Sequence, residues 1–581
     1  MVTYIFKHRL ILFLIIAASI FTLLPIFFDG QYGCVNKVCG FIVGTNYRDG
    51  IWFQSVSASA FKTFPFRMPN FSGALLSGYH YLPNLIAYLL SRLGIPIAVS
   101  YYKLFPFLYM IFLTALSIIF ARKIKNNSLF VALFLFFSFF GIPLTLITSL
   151  HYYGFIKNSL LINTFQSTRI LESMHFAFSL IILLVVLILL NKKVLKLKEK
   201  IIIGILVFLI FGIKFYVAAI MLFMLVLNET LVYIQAKKFK EYLISLFIYG
   251  TAAFISILIF YNPFSAVKGG SIFVFAPFAT VHHMIENESM FYLPNLVLAR
   301  YFLYAHGVSP RLIAIELFST FLFVVFYFGA RALGFLYIAK QIIIRKISRF
   351  EFVLTSGIVL GIILAIMFVQ KGDWFNPMQF AVVSAFLMNI FSAQFMFELF
   401  QRQKMLAIVL GLIVFVLTFV PNLINLGYLS DKARLVIPQE EMRALEVLKK
   451  LPDGTVFFPI IDPNVDLTYV SAFTGKQTYV NFVTLLQTTS VPYQKRFEET
   501  KDANTIDVDS LDIRYAYIPK EYKDYDVLVK KFEESKRYRE LLRNEKVSLF
   551  ELKVWDILPE AKPRTIRPRR TGTGVIVFEK I

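Results

Sequence analysis

The sequence predicts an α-helical polytopic membrane protein with about eleven transmembrane helices and a C-terminal extracytoplasmic α+β domain. Three observations carry this prediction. The 581 residues are 58% hydrophobic and 16% charged, where a soluble domain carries about a quarter charged residues. The mean hydropathy is +0.68. The apolar residues fall in runs near the roughly 20 residues that a helix rising ~1.5 Å per residue needs to cross a hydrocarbon core of ~30 Å. Closed barrels would read as short alternating strands, so helices fit these runs better.

The first element is the apolar run 8–28 behind Lys7 and Arg9. A cleavable signal has a shorter apolar region and a small-residue cleavage site. The stretch Phe21 to Phe28 is bulky throughout, so an uncleaved first span is expected. Further spans are expected at 97–120, 128–150, 175–190, 201–214, 216–235, 242–261, 312–330, 352–369, 378–398 and 405–427. The net charge of +23 would raise nucleic acid as a partner of a soluble protein. Here the excess sits mostly in short connections: Lys7/Arg9, Arg122 to Lys125, Lys192 to Lys200, Lys237 to Lys240, Arg331 to Arg349 and Arg402/Lys404. Cytoplasmic loops of membrane proteins carry such an excess, so the charge reports topology; the partner is the lipid bilayer and no nucleic acid is implied. The N-terminus is then cytoplasmic, the odd number of crossings puts the C-terminal domain outside, and a multi-pass place in the plasma (cytoplasmic) membrane follows. The run 201–234 is too long for one comfortable helix and too short for two full ones. Two short helices meeting near Phe211 to Lys214 preserve the topology and carry Lys214 to the external surface or a cavity. A single helix would invert every later crossing.

Three external connections are long, 29–96, 151–174 and 262–311, and long ordered loops tend to be functional. Within them Leu82 to Leu90 and Phe291 to Tyr304 suit helices lying in the membrane interface. After Tyr428 the composition becomes that of a soluble protein, which divides the chain into a transmembrane part, 1–428, and a soluble part, 429–581. The latter reads as a helix from Pro438 to Leu451, β-like runs at Thr455 to Ile461, Thr468 to Phe473 and Tyr515 to Ile518, a helix from Tyr525 to Asn544 and a strand from Val547 to Leu552. Lys562 to Arg570 is a basic, solvated linker before a last β-like run, Gly574 to Glu579. No solenoid repeat or inverted duplication is visible, which disfavours the commonest transporter architectures.

Six of the seven histidines, His80, His151, His175, His282, His283 and His306, fall outside, and only His8 is cytoplasmic. None forms a motif such as His-Glu-x-x-His, so a zinc hydrolase is not supported. The first external loop carries Asp29 and, in Asn46-Tyr47-Arg48-Asp49-Gly50-Ile51-Trp52-Phe53, Asp49. A carboxylate at the membrane surface can coordinate a hard cation or take a proton from an acceptor hydroxyl. An Asp-Gly pair alone is more often a turn. Cys34 and Cys39, the only cysteines, share this loop; in an oxidising compartment they could close a small disulfide loop beside Asp49, and two free thiols are the alternative. Arg169, Glu172 and His175 share helical faces by their spacing, as a cavity wall or as an Arg–Glu pair capping a helix start.

Downstream, Phe64-Pro65-Phe66-Arg67-Met68-Pro69-Asn70-Phe71-Ser72-Gly73 is followed by Ser77-Gly78-Tyr79-His80-Tyr81-Leu82-Pro83. Here the sequence resembles the GT-C superfamily of membrane glycosyltransferases, particularly bacterial members related to protein mannosyltransferases and lipid A arabinosyltransferases. The resemblance is one of organisation: a first span, an Asp-bearing external loop, a Pro/Gly-rich stretch, a Tyr-His-Tyr leading into an interfacial helix, many spans, and a soluble external C-terminal domain. It covers nearly the whole chain on short, degenerate motifs. It implies transfer of a hexosyl or pentosyl group from a polyprenyl-phosphate-linked donor to a glycan, lipid or protein acceptor on the external side, by direct inverting displacement. It further implies that Asp49 takes the place of the family's acidic first-loop residue, as base or through a divalent cation, magnesium or manganese, with Asp29 the fallback. Many relatives show paired acidic residues there, and this chain has the single Asp49 followed by Gly50. A leaving phosphate develops negative charge that cations must stabilise. Candidates for holding phosphate or sugar are His80, Arg169, Glu172, His282, His283, Arg300, Lys371 and Lys214; most of these cations would otherwise serve as interfacial anchors.

Two other readings compete. A transporter or flippase of a lipid-linked substrate needs polar residues through the bilayer midplane, whereas here they gather outside. A non-catalytic membrane scaffold with a glycan- or partner-binding C-terminal domain is the other, favoured if Asp49 points into solvent.

Overall fold

A computed structural model describes the chain except residues 1, 36, 45–46, 145–146, 148–172, 193, 264–272, 288–290, 371–374, 432–434, 460–467, 490, 554–568, 571–575 and 578–581; of 2–8, 47–48, 425–431, 569–570 and 576–577 it describes the backbone alone. After a first helix, Val2–Phe21, the apolar runs form helices throughout. Seven of these among the described residues are long and apolar enough to cross a membrane: Ile97–Ile124, Phe215–Ala236, Phe239–Tyr261, Pro310–Ile343, Arg349–Met367, Met378–Arg402 and Lys404–Ile424. Arg9–Phe21, Ser128–Phe140 and Met174–Leu190 are shorter apolar helices. Met378–Arg402 is the central post, with 89% of its apolar window buried inside the protein. Its neighbours reach it through small residues. A Cβ on Gly361 would lie 2.2 Å from Ser384 Oγ and 2.8 Å from the Phe380 carbonyl, the close backbone approach on which helix packing in lipid depends.

Helix ends follow local chemistry. Asn127 accepts hydrogen bonds from the Leu129 and Phe130 amides to start Ser128–Phe140, and Ser348 with Glu351 forms a capping box on Arg349–Met367. The run 201–234 is two helices, Leu197–Ile213 and Phe215–Ala236, broken at Lys214, whose backbone is extended at φ −160° and ψ 115°. The Phe211 carbonyl at this break accepts the Tyr261 hydroxyl at 2.8 Å, so the orphaned acceptor is satisfied.

Two expected spans differ. The helix beginning at Ser128 ends at Phe140, not 150: Pro143 has no amide to continue it, and the Leu144 amide bonds across to the Phe326 carbonyl at 2.8 Å. Pro310–Phe328 breaks at Gly329, whose φ of +59° and close approach to the Ile142 carbonyl exclude a side chain, and resumes as Leu333–Ile343. Arg331, expected on the cytoplasmic connection, is therefore fully buried within this segment, where Ser392 Oγ donates to its carbonyl at 2.7 Å.

On the other face of the bundle the first loop and the C-terminal segment fold together. The hairpin Tyr32–Val35 and Val38–Gly44 pairs antiparallel with Leu435–Pro438, and Cys34 and Cys39, directly opposite in the hairpin, are disulfide-bonded. A second sheet has the order Val456–Phe457, Tyr515–Pro519, Val547–Leu552, Tyr538–Arg543, its first pair parallel and the rest antiparallel. Trp52, Val56, Tyr79 and Tyr81 share one apolar core with Val480, Leu486 and Phe550. The run Thr468 to Phe473 is a helix, Tyr469–Thr474, rather than a strand; it docks Tyr469 and Val470 into a core and ends on Gly475 in the left-handed conformation. The segment 525–544 splits into the helix Tyr525–Glu534, which buries Leu528, Val529 and Phe532, and the strand Tyr538–Arg543, which the neighbouring strand recruits. The short helices Leu82–Arg92 and Pro294–Ala305 form as expected, the latter exposing Leu298, Tyr301, Phe302 and Tyr304. Phe273–Phe275 pairs with Phe368–Gln370, which fastens the 262–311 connection to the end of Arg349–Met367.

Candidate functional site

The helix Tyr47–Ser59 places Asp49 in its first turn, where the helix dipole favours a carboxylate. The Asp-Gly pair is thus not a turn. Gly50 is helical and buried, and a Cβ there would lie 3.2 Å from the Tyr101 ring and 3.3 Å from the hydroxyls of Tyr101 and Tyr102; its bareness lets two tyrosines close on the helix start. Asp49 itself is exposed. Asp29 is the opposite case: it is fully buried, its carbonyl accepts from Lys103 Nζ at 2.9 Å, and its Oδ2 lies 3.0 Å from where a Gly44 Cβ would stand. Tyr101 lies in the field of both carboxylates.

Next to Asp49 a ring cluster is built on Tyr79-His80. Tyr79 and His80 stack at 4.9 Å, His80 meets His175 edge-on at 5.1 Å, and Trp52 packs on Tyr79 at 5.7 Å. Asn84, on the helix Leu82–Arg92, sets His175. Its Nδ2 donates to the Phe53 carbonyl at 3.0 Å, so its Oδ1 is the atom 2.7 Å from His175 Nε2. That network assigns the His175 proton to Nε2. Lys214, buried at the helix break, acts electrostatically on both His80 and His175 and lies 5.6 Å from the Tyr216 ring. Burial first, then the charges of Lys214 and His175, hold the half-buried His80 imidazole well below its ordinary pKa, so it is neutral near pH 7. The Tyr79 phenol is pushed up, by burial and then by Asp49, against a smaller opposing hydrogen bond with Trp52. The Tyr216 hydroxyl donates to Gln370 Oε1 at 2.9 Å, which brings the strand Phe368–Gln370 beside Lys214.

His282, His283 and Arg300 belong to a second cluster. His282 Nε2 lies 2.8 Å from Glu316 Oε2, the buried Arg300 pairs with Glu286, and His283 is exposed. His282 and Arg300 thus each face a carboxylate of their own. Arg169, Glu172 and Lys371 lie outside the described residues.

Solved structures similar to this chain include two of an archaeal oligosaccharyltransferase. One is the archaeal oligosaccharyltransferase AglB from Archaeoglobus fulgidus in complex with an inhibitory peptide and a dolichol-phosphate; it is 12% identical over 95% of this chain and 75% of that one, with a TM-score of 0.49. The other is the Archaeoglobus fulgidus oligosaccharyltransferase tethered to an acceptor peptide containing the NVT sequon, 11% identical over 96% of this chain and 75% of that one, with a TM-score of 0.47. Neither a protein-family model nor a curated protein sequence matches this chain.

Among the described residues no three His, Cys, Asp or Glu side chains gather as a metal-holding group. Magnesium is commonly held by one or two carboxylates together with waters and substrate phosphates; of the two first-loop carboxylates Asp29 is buried and Asp49 is open to such an ion. The sequence singles out Asp49 and His80, and Tyr79 only as part of the Tyr-His-Tyr motif; Asn84 and Tyr101 are not singled out. Asn84 had a signal, as the one amide in the apolar stretch Leu82 to Leu90; Tyr101 is lost among 30 tyrosines.

Proposed function

We propose that the chain is a membrane glycosyltransferase of GT-C organisation that moves a sugar from a polyprenyl-phosphate-linked donor to an acceptor hydroxyl on the face holding Asp49. The observation that supports this is an accessible carboxylate on a helix start in the field of Tyr79, the ring that stacks on neutral His80, with the cation Lys214 acting on the same ring cluster. Asp49 takes the acceptor's proton as its oxygen attacks the anomeric carbon. The bond from that carbon to the phosphate oxygen breaks, its electron pair leaves with the polyprenyl phosphate, and the configuration inverts. Lys214 stabilises the charge on the leaving phosphate, the role for which a fixed cation in a partly dry site is most effective. Neutral His80 contributes a hydrogen bond to phosphate or sugar. Arg169, Glu172 and Lys371 remain assigned to the same substrate, while His282 and Arg300, already paired with carboxylates, are less available to it.

The exposure of Asp49 favours a second reading, a scaffold without catalysis. The purified protein in vesicles, supplied with radiolabelled polyprenyl-phosphate sugar and a membrane extract as acceptor source, separates these. Labelled product and released polyprenyl phosphate are expected. Movement of donor across the vesicle without product would make the chain a transporter, and neither product nor movement would leave the scaffold.

A further inference from the structure

On the face opposite His80 and Lys214 the basic connections converge on a cavity. Lys200 and Lys214 lie on one helix and its terminus, fourteen residues apart in sequence, or about 20 Å at ~1.5 Å per residue. Around Lys200 the connection after Leu190, the starts of the helices Leu197–Ile213, Phe239–Ser256 and Arg349–Met367, and the end of Phe215–Ala236 enclose about 220 Å³. Its floor is a buried polar network: Lys200 Nζ lies 3.3 Å from Glu229 Oε2, and Glu229 accepts from Ser245 Oγ at 2.7 Å and from Asn228 Nδ2 at 3.3 Å. One wall is the stacked pair Tyr233 and Tyr242, 5.1 Å apart. The rim carries Lys192, Lys238 and Arg349.

The charges do not cancel. Lys192 pairs with Glu199 at 2.5 Å, Lys238 with Glu241 at 3.1 Å, and Lys200 with Glu229. Arg349 bonds only to the Lys192 carbonyl, at 2.8 Å, and to no carboxylate among the described residues, which leaves most of a guanidinium fork for an anion. Arginine suits phosphate in particular, because its planar donors match two phosphate oxygens at once. Outside the rim the surface is apolar and exposed at Val194, Leu197, Ile201, Ile234 and Phe239. A soluble anion has no use for such a surface, whereas a lipid would lay its chains along it.

We propose that this cavity binds the phosphodiester headgroup of an anionic glycerophospholipid, with Arg349 holding the phosphate, the exposed Lys238 adding positive charge at the rim, and the acyl chains running over Leu197, Ile201 and Phe239. Basic pockets between helices at the membrane surface hold anionic lipids in this way. The site is independent of the glycosyl-transfer reading.

The test is native mass spectrometry of the full-length protein purified in detergent and titrated with phosphatidylglycerol, with phosphatidylcholine, and with phosphatidylglycerol plus inorganic phosphate. The expected result is retention of phosphatidylglycerol over phosphatidylcholine, weakened about fivefold by Arg349→Gln and by Lys238→Gln, as removal of one charge near an anionic headgroup predicts. Arg402→Gln, an exposed basic residue that does not line the cavity, should leave retention unchanged. Both rim residues are partly or fully exposed, so these variants keep the fold. Equal retention of the two lipids, wild-type retention by Arg349→Gln, or an equal loss in Arg402→Gln would each overturn the site. Displacement of the lipid by inorganic phosphate would make it a free-anion site and overturn the lipid assignment.

Discussion

Replacing Asn84 by leucine tests the architecture of the ring cluster, because one buried amide holds two elements together. Asn84 is fully buried, donates to the Phe53 carbonyl at 3.0 Å and accepts from His175 Nε2 at 2.7 Å. Leucine keeps the volume and removes both bonds. The Phe53 carbonyl still accepts the Ser57 hydroxyl at 2.9 Å, so that loss sits at the low end, about 1 kcal/mol. The His175 N–H, itself buried, is left without an acceptor, at a cost of about 1–3 kcal/mol. The sum is a destabilisation of about 2–4 kcal/mol, read as the shift in denaturation of the purified protein in mixed detergent. His175→Phe removes the orphaned donor, so the double variant should be less damaged than the sum of the singles, with a coupling of about 1–2 kcal/mol. A change within about 0.5 kcal/mol for Asn84→Leu, or strict additivity in the cycle, would refute the assignment of the bond and with it the tautomer of His175.

Acid should act through His80. Its folded pKa lies well below the unfolded value, so between the two the unfolded chain binds more protons and stability falls as pH falls below about 6.5, at up to ~1.4 kcal/mol per pH unit. The exposed edge of the ring makes that slope a ceiling. His80→Asn should flatten the stability profile between pH 7 and 5, and parallel profiles would contradict the burial of the imidazole. Gly50→Ala adds a Cβ within 3.2–3.3 Å of Tyr101 and Tyr102; it should cost about 1–3 kcal/mol despite alanine's better helix propensity, and a net stabilisation would show that the tyrosines do not press on that turn.

Much of the helical skeleton was legible because its signal is local: apolar length and basic connections. For 201–234 the sequence left one helix or two open, and the break at Lys214 decides for two. What escaped depends on contacts between distant segments. Gly329 interrupts a long apolar run because the Ile142 backbone passes against it, and nothing near residue 329 announces residue 142; Arg331, read from sequence as a loop cation, is buried as a consequence. Thr468 to Phe473 has strand-like residues, yet docking of Tyr469 and Val470 overrides that preference. In the candidate site Asp49 and His80 stand out by chemistry, whereas Asn84 and Tyr101 matter through where they pack.

The most direct measurement is single-turnover sugar transfer in membranes supplied with polyprenyl-phosphate donor, comparing wild type with Asp49→Asn at equal amounts of folded protein. Loss of a positioned general base predicts a fall of about 10²-fold or more for Asp49→Asn, with expression kept and stability lowered only by the lost charge at the helix start, about 0.3–1 kcal/mol. Transfer by Asp49→Asn at the wild-type rate would contradict the assignment of this carboxylate as the base.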